Sequence, residues 1–226
     1  MTKLAGSPAA GPVGQPQAPK PRRPRNPEKT QNAILRAATE EFAAKGLGGA
    51  RVDEIATRSG ANKRMIYHYF GGKDALFRAV MENIYETICR AEESLDLDRH
   101  PPAKAIERLI DFVWNYYLEN PQSITLLNSE NLHGARHLTG SAKARGMHPP
   151  FEAMIERVLR RGVADGVFRP GIEPGALYLT IAGLAYFYLS NNATLSVFFD
   201  RDLRSRRALS AWHAHIREVV LRFLAA

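Results

Sequence analysis

Cysteine is nearly absent from this chain of 226 residues, which contains only Cys89. A single cysteine excludes an internal disulfide and any metal site built from several cysteines, and it fits the reducing cytoplasm. The first residues also lack the apolar run of a secretory signal. We therefore expect a cytoplasmic protein.

Catalytic motifs are missing as well. The sequence contains neither a Gly-x-Ser-x-Gly nucleophile motif nor a phosphate-binding Gly-Lys-Ser/Thr motif. The glycines Gly46, Gly48 and Gly49 follow a predicted helix rather than a strand, so they do not form a dinucleotide-binding fingerprint. We expect a protein that is not an enzyme and that needs no cofactor.

Charge is absent from residues 174–199, a stretch long enough to cross a bilayer. However, Pro174, Gly175 and the Asn191-Asn192 pair interrupt it, and its continuous apolar run covers only residues 176–189. The stretch therefore predicts a buried helix, and we expect no membrane partner.

Positive charge is concentrated at the N-terminal end. Residues 1–75 hold 13 Lys and Arg against 6 Asp and Glu, whereas residues 76–226 hold 18 against 17. A local basic excess is typical of a module that displaces counterions from DNA. Because most of the excess comes from residues 1–29, a solubilising basic tail is the alternative interpretation.

Residues 1–27 are rich in proline, alanine and glycine and end in a basic run, PKPRRPR. This composition cannot bury a core, so we expect a disordered arm. The arm either lies along DNA, as basic arms do beside other DNA-binding domains, or remains solvated.

The most informative stretch runs from Val52 to Leu76 and predicts two short helices separated by a tight turn. Ser59-Gly60 ends the first helix, because glycine tolerates a left-handed backbone. Asn62 caps the second, predicted over residues 63–69. Its outward side chains suit phosphates and base edges: Lys63, Arg64, Tyr67 and His68.

This stretch resembles the helix-turn-helix of the TetR family of bacterial transcriptional regulators. The matching positions are Ile55-Ala56, Ser59-Gly60-Ala61-Asn62, Tyr67-His68-Tyr69-Phe70 and Lys73-Asp74-Ala75-Leu76, with Ile34-Leu35, Ala37-Ala38, Phe42 and Gly46 upstream. The resemblance implies a homodimer that binds palindromic double-stranded DNA and a small-molecule effector that releases it.

Two positions depart from the family pattern. Ala50-Arg51 replaces the usual capping Thr or Ser, and Arg64 replaces a frequent glycine. Lys73 opens the next helix at its positive end, where an external anion such as a phosphate best explains a cation; a solvated lysine is the alternative. The predicted DNA contacts are Arg51, Asn62, Lys63, Arg64, Tyr67, His68 and Lys73.

Helical periodicity recurs along the whole chain and strand-like alternation does not, so the predicted fold is all-α. We expect a three-helix DNA-binding domain over residues 28–75 and a helical ligand-binding and dimerisation domain over residues 76–226. The predicted helices cover residues 28–45, 52–58, 63–69, 73–93, 102–118, 121–132, 151–163, 174–190 and 203–224, with a loop or broken helix at 134–150.

The larger domain carries candidates for three kinds of site. Aromatic and polar residues on its middle helices are candidate effector contacts: Trp114, Tyr117, Asn128, Asn131, Phe151, Tyr178 and Tyr186. The last two helices are apolar on more than one face, which predicts a dimer interface; helices simply enclosed in their own domain are the alternative. The predicted interface residues are Leu184, Phe187, Tyr188, Trp212, Ile216 and Val220. Glu130, His133 and His137 have spacing compatible with a divalent metal, although surface histidines are the simpler interpretation.

Together these features predict a DNA-binding regulator, most simply a repressor. Two alternatives remain at this point. One is a small-molecule binding or metabolic protein that retains a helix-turn-helix. The other is a ligand-independent regulator that acts through protein partners.

Overall fold

A computed structural model describes residues 26–146 and 149–226. The predicted arm, residues 1–27, lies outside this part of the chain except for its last two residues. In the described residues, the only strand-type pairing is a single antiparallel β-bridge between Phe168 and Ala225. The helices are α1 (Pro27–Gly49), α2 (Val52–Ser59), α3 (Lys63–Phe70), α4 (Lys73–Glu93), α5 (Pro102–Glu119), α6 (Pro121–Leu132), α7 (Ala142–Arg145), α8 (Pro149–Ala164), α9 (Pro174–Phe198) and α10 (Arg206–Leu224).

The predicted turn chemistry of the helix-turn-helix is confirmed. Gly60 follows α2 in the left-handed conformation, with φ of 64°. The Asn62 side chain accepts a hydrogen bond from the Met65 amide at 2.9 Å and so caps α3. These two residues set where each helix ends and begins, and therefore the direction in which α3 leaves α2.

The first core joins the predicted DNA-binding module to the larger domain. It contains apolar residues of α1 to α4, and Leu126 and Leu127 of α6 also belong to it. Because α6 packs against α1, the module is held by the larger domain on one side as well as through α4. The second core is formed mainly by residues of α5, α8, α9 and α10.

Helix α9 is longer than predicted. It continues to Phe198, eight residues beyond the predicted end at Ser190, because Asn191 does not interrupt it. The Asn191 amide donates to the Phe187 carbonyl at 2.8 Å, so the side chain is satisfied within the helix. Helix α10 begins at Arg206 rather than Leu203, after the cap residue Ser205.

One face of α9 is buried and the other is exposed. Leu177, Ile181 and Ala185 lie in the second core. By contrast, Leu179 is 70% exposed and Phe198 is 80% exposed. No helix in the described part of the chain is both long enough and apolar enough to cross a membrane.

Candidate DNA-binding interface and effector site

Helix α3 is fixed by its inner face and displays a polar outer face. Ile66 is fully buried in the first core, whereas Arg64, Tyr67 and His68 are exposed. A helix of eight residues with one buried anchor cannot hold itself in place, so its position depends on α1, α2 and α4. The outward residues are those that the sequence predicted.

Lys63 is exposed, as the sequence predicted, but its ammonium already has a partner within the protein. Its ammonium lies 3.0 Å from the Asp53 carboxylate at the start of α2. The hydrogen bond to Asp53 raises the pKa of Lys63 above its ordinary value. A phosphate must therefore compete with Asp53 for this lysine, which ties α3 to α2 in the absence of DNA.

Lys73 also has an internal partner, which corrects the reason given for its position. Its ammonium donates to the Gly48 carbonyl at the end of α1, at 3.1 Å. An external anion is therefore not needed to explain a cation at the start of α4. This hydrogen bond links the start of α4 to the end of α1. A contact between Lys73 and DNA remains a prediction.

The buried carboxylate of Glu41 replaces the missing cap of α2. Arg51 has no side-chain cap, but its backbone amide donates to Glu41 at 3.2 Å. Lys45 lies 2.9 Å from the same carboxylate and Arg58 lies 3.5 Å from it. The hydrogen bond from Lys45 is the main cause of the lowered pKa of Glu41. Glu41 thus fastens both ends of α2 to α1, and the sequence prediction missed it.

The candidate effector residues fall into two groups. Phe151 of α8 contacts Tyr178 of α9, with ring centroids 5.2 Å apart, and Tyr117 of α5 contacts Tyr186 of α9 at 5.7 Å. Trp114 belongs to a separate aromatic layer, where it stacks on His213 at 5.4 Å. It is therefore part of the contact between α5 and α10.

Two asparagines of α6 stand at the edge of the tyrosine group. Asn128 and Asn131 are both exposed. Asn128 donates to the Ser190 hydroxyl at 3.0 Å and accepts a hydrogen bond from the Tyr186 hydroxyl. These bonds tie α6, and through it the first core, to the middle of α9.

A second buried carboxylate lies beside the tyrosines. Glu92, in the last turn of α4, is 2% exposed and accepts a hydrogen bond from the Tyr178 hydroxyl at 3.0 Å. Burial raises the pKa of Glu92 to about 7. The sequence prediction overlooked this residue too, although it lies among the predicted effector contacts.

The metal hypothesis receives no support from Glu130, His133 and His137. One oxygen of Glu130 lies 2.6 Å from His137 Nδ1, and the other accepts the backbone amides of His137 and Leu138. The His133 ring instead faces the Ser129 carbonyl. In the described residues no three groups of the usual ligand types converge on a metal position.

Several predicted dimer contacts lie inside the subunit instead. Ile216 and Val220 are fully buried and Tyr188 is 5% exposed, so they have almost no surface to offer a partner. The prediction was wrong for these three, because they face the second core. Phe187 is 59% exposed, while Leu184 and Trp212 are half-buried. The exposed apolar surface is formed mainly by Leu179, Phe187, Val197, Phe198 and Phe199.

Two family models match the chain. The model of bacterial regulatory proteins of the tetR family covers residues 34–80, and that of the tetracyclin repressor-like C-terminal domain covers residues 102–220. The HTH-type transcriptional repressor NicS of Pseudomonas putida is 39% identical over 87% of this chain and 93% of its own length. The HTH-type transcriptional repressor SCO4008 of Streptomyces coelicolor is 34% identical over 70% of this chain and 78% of its own.

Solved structures show the same fold. A bacterial regulatory protein of the tetR family from Rhodococcus RHA1 superposes with a TM-score of 0.65, at 20% identity, over 88% of this chain and 98% of that chain. These relatives are transcriptional regulators rather than enzymes. The two matched models together span both cores of this molecule. The chain therefore belongs to the TetR family and is a DNA-binding transcriptional regulator.

Proposed function

We propose that the protein is a homodimeric repressor that binds a near-palindromic operator through α3 and is released by a small-molecule effector. The observation that carries the proposal is the outer face of α3, where Arg64, Tyr67 and His68 are exposed around the buried anchor Ile66. Arginine reads guanine edges or phosphate, and the phenol donates to phosphate. The relatives named above as repressors support repression as the mode of action.

The exposed face of α9 supports the proposed dimerisation. Leu179 and Phe187, two turns apart, lie on the helix outside the second core, and Val197 and Phe198 extend the apolar surface to its end. Contiguous apolar surface on a soluble protein usually marks an interface. Two subunits joined there would present two copies of α3 to half-sites separated by about one or more helical turns, roughly 34 Å per turn.

Effector control uses α4 as the connection between the two cores. Its first residue, Lys73, contacts the DNA-binding module, and Glu92 in its last turn lies among the tyrosines of the larger domain. A molecule bound there would tilt α4 and change the spacing of the two α3 helices. Such an effector shifts the dimer between the DNA-binding and the released arrangement of the α3 helices only if it binds one arrangement more tightly than the other.

Selection of bound duplexes from a random DNA pool tests the proposal, followed by fluorescence anisotropy on the selected sequence. We expect a near-palindromic site, affinity that falls steeply as salt rises, and loss of preference in the Arg64→Ala variant. Arg160→Ala, an exposed arginine on α8, is the matched control and should bind like the parent. Enrichment of no sequence, or a monomer at micromolar concentration, would contradict the proposal.

A further inference from the structure

Glu92 is an unusual residue to find buried, because the described residues supply one neutral donor for its carboxylate and no ion-pair partner. The Tyr178 hydroxyl donates to it, and Phe151 packs against the Tyr178 ring from α8. On its own helix the neighbouring titratable groups are Glu93 and Cys89, and from α5 they are Tyr116 and Tyr117. All of these are neutral or negative.

The other buried glutamates of the described segments each have a basic side chain beside the carboxylate, which Glu92 lacks. Glu41 is paired with Lys45 and Arg58, and Glu130 is held by His137 and two backbone amides. No lysine, arginine or histidine within those segments forms an ion pair with Glu92. A carboxylate offers about four acceptor positions, so Glu92 keeps unused capacity in a place that water reaches poorly.

We propose that Glu92 anchors an effector that carries a positively charged nitrogen, seated among the tyrosines contributed by α5 and α9. This inference rests on the proposed function, since it names the chemical class of molecule that the effector site takes. A buried carboxylate that accepts one neutral hydrogen bond and has no ion-pair partner attracts a cation strongly, because little water screens the interaction. Tyrosine rings add a cation–π contribution where the charge lies over a ring face.

The same arrangement disfavours other ligand classes. An organic anion would place a second negative charge beside Glu92 in a poorly hydrated site. A neutral isostere would leave the ionised carboxylate unpaired and so would gain little from it. Discrimination by charge is therefore the property that separates this proposal from a general apolar pocket.

Proton linkage gives the proposal a second signature. Because burial raises the pKa of Glu92 to about 7, the carboxyl is largely protonated at pH 6 and largely ionised at pH 8. A cation pairs with the ionised form only. Its affinity should therefore rise about tenfold from pH 6 to pH 8, with release of a proton at the lower pH.

The test uses the full chain without DNA and four probes that share one ring: benzylammonium, benzyltrimethylammonium, benzyl alcohol and benzoate. Isothermal titration at pH 6 and pH 8 measures each affinity. We expect the two cations to bind, the alcohol to bind at least about tenfold more weakly, and benzoate not to bind. We also expect the cations to gain affinity with pH, whereas any binding of the alcohol should not change.

Two variants complete the experiment. Glu92→Gln keeps the acceptor for Tyr178 but removes the charge, and it should abolish both the cation preference and the pH dependence. Glu93→Gln removes the exposed neighbouring charge and should leave both in place. Thermal unfolding of each variant checks that it is folded, so that a loss of binding is not a loss of structure.

Three results would overturn the inference: cations that do not bind, benzoate or benzyl alcohol that binds as tightly as the cations, or a cation preference that survives in Glu92→Gln. Anisotropy with the selected duplex on the same preparations keeps the two proposals apart. Specific DNA binding without cation binding would contradict only the proposal of a cationic effector. Absence of specific DNA binding would contradict the proposed function.

Discussion

The two ends of the molecule each bury a glutamate, and the two carboxylates meet opposite surroundings. In the DNA-binding module, Glu41 receives the Arg51 amide and the Lys45 and Arg58 cations, and its pKa is lowered. In the larger domain, Glu92 receives one tyrosine hydroxyl, and its pKa is raised to about 7. Both side chains are shielded from water, so the contrast comes from their partners.

That contrast gives the two glutamates different roles: Glu41 stabilises the fold, whereas Glu92 is available to bind a partner. The charge of Glu41 is compensated before any partner arrives, so it stabilises α2 in a fixed position. The charge of Glu92 destabilises the folded chain wherever it is ionised, and a suitable partner would remove that cost. The module that holds α3 is thus pre-organised, whereas Glu92 at the end of α4 has one neutral donor and no ion-pair partner among the described residues. The same substitution should consequently have opposite effects at the two positions.

The largest expected effect is at Glu92. A carboxyl whose folded pKa lies above its unfolded value of 4.5 binds more protons when folded, so stability falls as pH rises from 4.5 to about 7. Glu92→Gln removes that loss and should raise the free energy of unfolding by about 3 kcal/mol at pH 8. Near pH 4 the variant and the parent should be equal. Urea denaturation at both pH values measures the difference.

Glu93→Gln is the control for this measurement, because it removes an exposed carboxylate one residue away. It should shift the free energy of unfolding by less than about 0.5 kcal/mol at either pH. If Glu92→Gln behaved in the same way, Glu92 would have an ordinary pKa and the contrast with Glu41 would disappear.

At Glu41 we expect the substitution by glutamine to change the free energy of unfolding in the opposite direction and by a smaller amount. Its folded pKa is lowered, so its stabilisation is present above its ordinary value of 4.5 and is lost as pH falls through the folded pKa. Glu41→Gln should lower the free energy of unfolding by about 2 kcal/mol at pH 7. The difference should shrink on acidification. Chemical denaturation from pH 7 down to pH 3 measures it.

Glu40→Gln is the matched control on α1, since Glu40 is exposed and only reaches Arg58 at 3.9 Å. It should leave stability nearly unchanged at every pH. Equal losses for Glu40→Gln and Glu41→Gln would mean that general charge balance, rather than the fastening of α2, accounts for the effect.

Most of the features that were predicted correctly from the sequence depend on interactions between residues close together in the chain. The Gly60 turn, the Asn62 cap and the outward set on α3 depend on residues within one or two turns of each other. Two of the buried glutamates, Glu41 and Glu92, were missed, although a pattern pointed to them. Glu41 stands on the stripe of Ile34, Ala38 and Phe42, and Glu92 follows Ile84 and Ile88 at steps of four. A charged residue at a position that continues an apolar helical stripe could therefore have identified both buried glutamates.

Contacts between distant residues could not be predicted in the same way. Lys73 and Gly48 are 25 positions apart, and periodicity says nothing about which carbonyl a lysine reaches. Helix α9 is apolar nearly all round, so its pattern could not show which side faces the second core. Assignment of Ile216 and Val220 to the dimer interface failed on α10 for a related reason, since burial within a subunit and burial between subunits leave the same apolar pattern.

A smaller effect is expected at the cap of α3. Asn62→Ala removes the hydrogen bond to the Met65 amide and should cost about 1 kcal/mol of stability. Asn62→Asp keeps an acceptor and should restore stability, but it adds a negative charge at the proposed DNA interface and should weaken binding. Denaturation and anisotropy together separate these outcomes. Parallel changes of stability and affinity in both variants would show that Asn62 acts only through folding.

The smallest effect, and the one that best defines the DNA-facing surface, concerns Lys73. This lysine either serves only the Gly48 carbonyl or also neutralises a phosphate when DNA is bound. In the second case Lys73→Ala weakens binding to all duplexes and lowers the slope of log affinity against log salt by about one unit. Lys73→Gln is the informative companion, since it keeps a side-chain N–H donor, one bond shorter than the lysine, but carries no charge. A slope that is reduced in both variants assigns the charge to phosphate, whereas an unchanged slope in both would remove Lys73 from the contact surface and leave it as a tie between α4 and α1.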